Sequence, residues 1–353
     1  MQSKTPLIIV FVALVLVAGA YALLGERGSV SESEDGGADQ RLYPGLQQRL
    51  NDISRIRMER KGMSYQVLRD GEQWQLPDKG GYPVEFEKVK PLLLAIALLE
   101  KVEPKTNKPE NYARLGVDEP APDSDSTRIE LYADGDAPLV SLIVGNIRRG
   151  LIAGGRDGIY ARPSGEARAW LLAGELVVPM APVDWVDSQI VHIKPKSVKR
   201  VSITQPDGSS LILEKPFKGA ADFAVSNLPE AAVLRSDVEL NSLGQTLAGL
   251  KMEDLLVRSQ AGLPEADAVV SVFETWDGLQ VTAYSVEQDG KFFAWFEAGA
   301  AALDLNDLGA VRTTEHSVED LRARLDGWVY QLPHARGEKL RKRLDELLES
   351  KGN

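Results

Sequence analysis

Few residues of this chain have the types and spacing that catalysis requires. The sequence contains three histidines and no cysteine. His192, His316 and His334 lie far apart, without the His-x-x-x-His or His-Glu-x-x-His spacing of a helical metal site. The pair Asp123 and Asp125 lacks the glycine and the distal glutamate of a calcium-binding loop. The sequence therefore predicts no metal, no cofactor and no catalytic residue.

The glycine-rich stretch 145–158 is the nearest approach to an anion-binding loop. It lacks the Gly-Lys-Ser/Thr ending of a phosphate-binding loop, and its glycines are typical of hairpin turns. Arg148, Arg149 and Arg156 nevertheless concentrate positive charge in an acidic chain. We interpret these three arginines as a candidate contact with an anionic group or a partner.

A second candidate contact is the segment around Trp185 and Asp187. A tryptophan among polar neighbours is typical of a core residue whose ring N–H is hydrogen-bonded, and also of a partner hot spot. Both interpretations stay open on the sequence. A hydrolase would instead need carboxylates such as Asp184 and Asp187 in one cleft, at a separation of roughly 5–10 Å.

The run Leu7–Leu24 carries no charge. About 18 residues make roughly 27 Å of helix, close to the ~30 Å hydrocarbon core of a bilayer. This predicts a single-pass inner-membrane (cytoplasmic-membrane) anchor over 1–24 that contacts the lipid bilayer through Leu7 to Leu24. Lys4 and the α-amino group place the N-terminus in the cytoplasm and the bulk of the chain in the periplasm. A cleaved signal peptide is the alternative, because Ala18–Ala22 contains the small-x-small form of a cleavage site.

The composition describes an acidic protein with room for two domains. Lysine and arginine total 41 against 52 acidic residues, a net charge of −11. Such a chain is a poor binder of nucleic acid, because phosphate affinity requires clustered cations. Residues 25–41 are rich in glycine, serine and acidic side chains, which predicts a flexible acidic linker.

The rest of the chain carries one pattern of elements twice. Strands, one helix and further strands follow in the same order, first over 42–183 and then over 184–334. The predicted helices are Val84–Val102 in the first unit and Val238–Leu250 in the second. The expected fold class is α+β: an N-terminal transmembrane helix followed by two tandem, duplicated strand–helix–strand units with mainly antiparallel sheets. Strands are predicted at Gln73–Leu76 and Trp328–Leu332, and a short helix over 165–172. An amphipathic helix is predicted over 335–353.

Several segments together resemble the bacterial domain-of-unknown-function family 4340 (DUF4340). The first is similar to the family's Tyr-x-Leu-Gly-Leu-x-x-Pro signature, with one extra residue before the glycine. This first segment is Tyr112–Pro120. Val144-Gly145 resembles the Leu-Gly at the end of a family strand, and Trp185–Asp187 resembles the opening of the second half. Gly327–Pro333 and Leu344–Leu348 resemble the usual ending. The resemblance covers roughly Leu42 to the C-terminus. It implies membrane anchoring and repeated strand–helix–strand units. It also implies an accessory role, because the genes of the family often neighbour gliding-type ABC transporter components.

We therefore expect a membrane-anchored periplasmic binding or scaffold protein, not an enzyme, with membrane-protein partners and no nucleic acid. The resemblance supplies no catalytic residues. Two alternatives stay open. One is an envelope hydrolase that acts on glycan or peptide through a carboxylate-based site. The other is a soluble periplasmic ligand-binding protein that signal cleavage releases.

Overall fold

The computed structural model describes residues 40–230, 232–300 and 318–349. Alternating apolar and polar residues make most of this chain into strands, and two large antiparallel sheets result. The run Leu7–Leu24 and most of the predicted linker lie outside the described residues.

The first half of the chain forms a nine-stranded sheet with the order β4-β3-β2-β1-β6-β7-β8-β9-β5. Its helices are α1 (Phe86–Leu98), between β4 and β5, and the single turn α2 (Tyr112–Leu115). Helix α1 repeats its buried apolar residues at three- and four-residue spacing, so one face packs into the core. The strands are β1 (Arg55–Arg60), β2 (Met63–Asp70), β3 (Gln73–Leu76), β4 (Tyr82–Val84), β5 (Glu100–Pro104), β6 (Thr127–Tyr132), β7 (Val140–Ile152), β8 (Arg156–Pro163) and β9 (Trp170–Ala173).

The second half forms an eight-stranded sheet with the order β13-β12-β11-β16-β17-β18-β19-β15, beside a separate pair, β10 with β14. Its helices are α3 (Asp237–Gly244), α4 (residues 318–325) and α5 (His334–Leu340). The strands are β10 (Gln189–Val191), β11 (Val198–Thr204), β12 (Ser210–Glu214), β13 (Ala224–Val225), β14 (Leu250–Lys251), β15 (Asp254–Val257), β16 (Val269–Thr275), β17 (Leu279–Gln288), β18 (Lys291–Ala300) and β19 (Trp328–Leu332).

The two sheets have corresponding strand orders. In the first sheet the meander β3-β2-β1 continues through β6-β7-β8-β9, and β5 closes the edge. In the second sheet β13-β12-β11 continues through β16-β17-β18-β19, and β15 closes the edge. One main hydrophobic core contains buried residues of both halves, which joins the two sheets into one packed unit.

The predicted fold class requires correction. The described part of the chain consists mostly of antiparallel sheet, and it has no helix that is long and apolar enough to cross a membrane. Helix α1 has 13 residues, which is about 20 Å against the ~30 Å of a bilayer core. An α+β fold behind an N-terminal transmembrane helix is therefore not what these residues form. Their dominant period of two residues favours strands, and the short helices cover the sheets.

Two local predictions are also wrong. Residues 165–172 were expected to form a short helix, but Trp170–Ala173 is strand β9. A short apolar run has no periodicity that distinguishes helix from strand, and its pairing with β5 and β8 decides. The C-terminal helix expected over 335–353 ends at Leu340, and a 3-10 turn at Asp345–Leu347 follows.

Candidate functional site

A groove of about 440 Å³ lies where the two halves meet. We call it the junction groove. The first half supplies residues 72–74 and 82–86, and the second half supplies Asp187, Gln189 and Arg324. Strand β4, at the edge of the first sheet, forms one wall, and the start of β10 forms the other.

The turn between β3 and β4 fixes the first wall to the second half. Lys79 Nζ donates to Asp254 Oδ1 at 2.6 Å and to the Leu255 carbonyl oxygen at 3.1 Å. The next residue, Gly80, has φ +67°, and a Cβ atom there would lie 2.2 Å from Val257 Cγ2. Glycine is required because it adopts this left-handed conformation and leaves room for the neighbouring strand. The groove is therefore built on a closely packed contact between the halves.

Tyr82 lines the junction groove and packs against aromatic residues of the second half. The rings of Tyr82 and Trp328 pack edge to face, with centroids 5.0 Å apart. The buried Tyr330 hydroxyl donates to the Arg324 carbonyl oxygen at 3.1 Å. Burial raises the pKa of Tyr330 and of Tyr82 above the ordinary tyrosine value. Both hydroxyls are therefore neutral hydrogen-bonding groups at physiological pH, and neither acts as a base.

The guanidinium of Arg324 is occupied by the backbone of β10. Its Nη2 donates to the carbonyl oxygens of Gln189 at 3.2 Å and Ile190 at 2.6 Å. This contact ties α4 to the groove wall. The other charged side chains that line the groove are the exposed carboxylates of Glu72, Glu85 and Asp187, so its lining is acidic.

Trp185 is fully buried. Its Nε1 donates to the Tyr65 hydroxyl at 3.1 Å. Burial, as the largest cause, raises the pKa of Tyr65 to about 12. Trp185 therefore anchors the chain just before Asp187 and offers no surface to a partner in this structure.

The two carboxylates that a hydrolase would use are engaged with nearby backbone. Asp184 Oδ2 accepts hydrogen bonds from the N–H groups of Met180 at 2.8 Å and Ala181 at 3.0 Å. Asp187 Oδ1 accepts one from the N–H of Gln189 at 2.9 Å. Such short-range bonds are typical of side chains that shape a turn.

The three candidate arginines lie on one hairpin, formed by β7 and β8. Arg148, Arg149 and Arg156 are all exposed on its distal part. Strand β7 is five positions from β4 in the sheet order, which corresponds to roughly 24 Å. The structure therefore brings the arginines together but does not bring them to Asp187.

Sequence reasoning missed several groove residues. Phe86 begins α1 with 49% of its surface exposed. In the sequence it cannot be distinguished from the other apolar residues of the predicted helix, most of which are buried. Arg324 lies far along the chain from Asp187, and no local pattern links them. The Gly80-Gly81 pair before β4 was the one available signal, because adjacent glycines mark a tight turn.

The histidines occupy separate structural positions. His192 Nδ1 accepts a hydrogen bond from the N–H of Gly249 at 2.9 Å. His334 Nδ1 lies 3.5 Å from Glu338 Oε2 on α5, and His316 is outside the described residues. Within 40–230, 232–300 and 318–349, no three His, Asp or Glu side chains are placed to hold a metal ion.

These features define a β-rich protein in which two halves with corresponding strand orders share one main core and meet at a surface groove. A family model described as Domain of unknown function (DUF4340) matches residues 74–268. The match covers more than half of the 353 residues, so the chain belongs to this family. The family resemblance that the motifs indicated is thereby confirmed. No curated protein and no solved structure matches the chain.

Two of the motifs that carry the resemblance contact each other. A Cβ atom on Gly145 would lie 2.2 Å from the carbonyl oxygen of Leu115, so only glycine fits there. The buried Arg162 stacks over the Tyr112 ring at 4.5 Å and donates to Glu119 Oε1 at 2.8 Å. These family residues therefore hold one loop against β7 and β8, and their role is structural.

Proposed function

We propose that this protein is a binding or scaffold subunit at the cell envelope, on the periplasmic side. Its junction groove would hold a basic segment of a partner protein. The observation that carries the proposal is the combination, in one groove, of three exposed carboxylates with the exposed ring of Phe86.

The charge of the groove favours a cationic segment. Glu72, Glu85 and Asp187 surround a space whose one lining arginine is bonded to backbone carbonyl oxygens. Lysine or arginine side chains would pair with these carboxylates, and the face of Phe86 would receive an aliphatic stem or a cation. A groove of about 440 Å³ accommodates a few side chains, which suits a segment better than a folded domain.

The envelope location and the type of assembly rest on sequence. The uncharged run Leu7–Leu24 supports an envelope location, because such runs direct proteins to or across a bilayer. Family membership supports an accessory role at a transporter-type complex, since the genes of this family often neighbour gliding-type ABC transporter components. That link is association by gene neighbourhood.

Site-specific photo-crosslinking tests the proposal. A p-benzoylphenylalanine side chain at position 86 samples the junction groove, and the same side chain at position 217 is the matched control. Phe217 is 64% exposed and lies outside the groove lining. We expect position 86 of the full chain, in its native membranes, to crosslink one partner segment rich in lysine or arginine. The proposal is wrong if both positions give the same adducts, or if position 86 gives none.

A charge variant provides the second arm. Glu85→Gln with Asp187→Asn removes two groove carboxylates, and Glu110→Gln with Asp136→Asn makes the same change at exposed sites elsewhere. The groove pair should abolish the crosslink from position 86, and the control pair should leave it unchanged. Equal yields from both pairs would contradict the role assigned to the acidic lining.

A further inference from the structure

The hairpin of β7 and β8 extends beyond its neighbouring strands. The pairing of β6 with β7 ends at Val144, and the pairing of β8 with β9 ends at Gly158. Past the pair Arg148 and Gly158, strand pairing continues only between β7 and β8, although the N–H of Gly174 still donates to the Asp157 carbonyl oxygen at 3.4 Å. The next pair is Ile152 with Arg156, four residues further along β7 but only two residues back along β8, so the paired part of the tip extends about 7 Å past the sheet. We call residues 147–156 the arginine tip.

The arginine tip combines exposed apolar and cationic side chains. Ile147 is 40% exposed and Leu151 is 50% exposed. Arg148 and Arg149 are exposed as well, and neither has an ion-pair partner among the described residues. The apolar side chains would gain free energy by leaving water for the acyl-chain region of a lipid surface, and the arginines would gain it by contacting anionic headgroups.

The base of the tip adds further positive charge. Arg156 Nη1 lies 2.8 Å from Glu100 Oε2, and Arg41 Nη1 lies 3.3 Å from Glu100 Oε1. One carboxylate is thus shared between two guanidinium groups. The carboxylate of Asp157 also lies here and accepts a hydrogen bond from the N–H of Gly150 at 3.0 Å. Four arginines (Arg41, Arg148, Arg149 and Arg156) against Glu100 and Asp157 still give this end of the first sheet a local cationic excess, in a protein of net charge −11.

The path of the chain connects this end with the most apolar stretch of the sequence. The carbonyl oxygen of Gln40 accepts a hydrogen bond from the N–H of Lys101 at 2.7 Å. The backbones of Arg41 and Glu100 form an isolated antiparallel β-bridge. Residues 1–39, which include the run Leu7–Leu24, therefore join the folded part beside the arginine tip. Residues 25–39 span at most about 50 Å when fully extended, which limits how far that run lies from the tip.

The geometry points to an anionic lipid surface as the occupant of the arginine tip. Guanidinium groups bind headgroup phosphates through two parallel hydrogen bonds. Ile147 and Leu151 would enter the boundary between headgroups and acyl chains. An acidic protein would also attract the arginines, but the adjoining apolar run favours lipid. This inference is independent of the junction groove, and its failure would leave the proposed function untouched.

A fluorescent label on the tip tests the inference. The chain contains no cysteine, so Leu151→Cys gives the full protein one labelling site for an environment-sensitive dye. Vesicle binding alone is not the readout, because the N-terminal run could bind lipid by itself. Phe217→Cys, another exposed apolar position, is the matched control. The vesicles contain phosphatidylcholine alone or phosphatidylcholine mixed with phosphatidylglycerol.

We expect the emission of the dye at position 151 to shift to the blue only with phosphatidylglycerol vesicles, and the emission at position 217 to stay constant. Arg148→Gln with Arg149→Gln should raise the lipid concentration at half-maximal shift about thirtyfold. Arg148→Lys with Arg149→Lys should retain most of the affinity, which would show that the glutamine pair acts through charge and not through misfolding.

Three results would overturn the inference. The first is no shift with phosphatidylglycerol vesicles. The second is an equal shift with phosphatidylcholine alone, which would indicate apolar insertion without recognition of anions. The third is a shift with poly-glutamate but not with vesicles, which would assign the tip to an acidic protein partner.

Discussion

Substitution of Gly80 tests whether the contact between the halves holds the junction groove in place. Gly80→Ala adds a Cβ atom at φ +67°, and that atom would lie 2.2 Å from Val257 Cγ2. An ordinary carbon–carbon contact is about 3.5–4.0 Å, so the strands must separate by more than 1 Å or a side chain must leave its rotamer. Left-handed backbone costs a non-glycine residue about 1–2 kcal/mol, and overpacking adds about 1–3 kcal/mol. We therefore expect the free energy of unfolding to fall by about 2–5 kcal/mol.

The matched control is Gly71→Ala. Gly71 has φ +60°, close to that of Gly80, but a Cβ atom there has no neighbour within 4 Å. The control should lose only the backbone contribution of about 1–2 kcal/mol. Urea unfolding followed by tryptophan fluorescence measures both variants, and Val257→Ala in the Gly80→Ala background should restore part of the loss. Equal destabilisation by the two alanine variants would refute the packing argument.

Three further outcomes are expected. Arg162→Met should lower the free energy of unfolding by about 3 kcal/mol, because the carbonyl oxygens of Val117 and Glu166 lose the guanidinium that donates to them. Urea unfolding measures the loss, which a change below about 1 kcal/mol would contradict. The folded-state pKa of Tyr65 is about 12, raised from 10.0, so its contribution to stability is complete below about pH 10 and is lost as the pH rises toward about 12. Tyr65→Phe should reduce the loss of unfolding free energy between about pH 9 and about pH 11, which urea unfolding at the two pH values measures. At neutral pH it should cost about 1–3 kcal/mol, because Trp185 Nε1 loses its acceptor. Lys79→Met should lower the free energy of unfolding by about 1 kcal/mol, since the ammonium is partly buried against Asp254. A double-mutant cycle with Asp254→Asn should assign most of this loss to the ion pair, and additive losses from the two single variants would contradict that assignment.

Local pattern was sufficient for many individual strands. Gln73–Leu76 and Trp328–Leu332 were predicted as strands and coincide with β3 and β19. Alternation within a strand is a property of adjacent residues, so it can be recognised without knowing the partner strand. The pattern failed at Trp170–Ala173 and after Leu340, where the deciding contacts come from other parts of the chain.

The sequence by itself determined the acidic charge, the family motifs and the hairpin that carries Arg148, Arg149 and Arg156. These features lie in composition or in short segments, where neighbouring residues carry the information. The tertiary structure alone decided the burial of Trp185 and the meeting of Phe86 with Asp187 in one groove. Both depend on pairing and packing between distant segments, and such contacts leave no periodic trace in a single sequence.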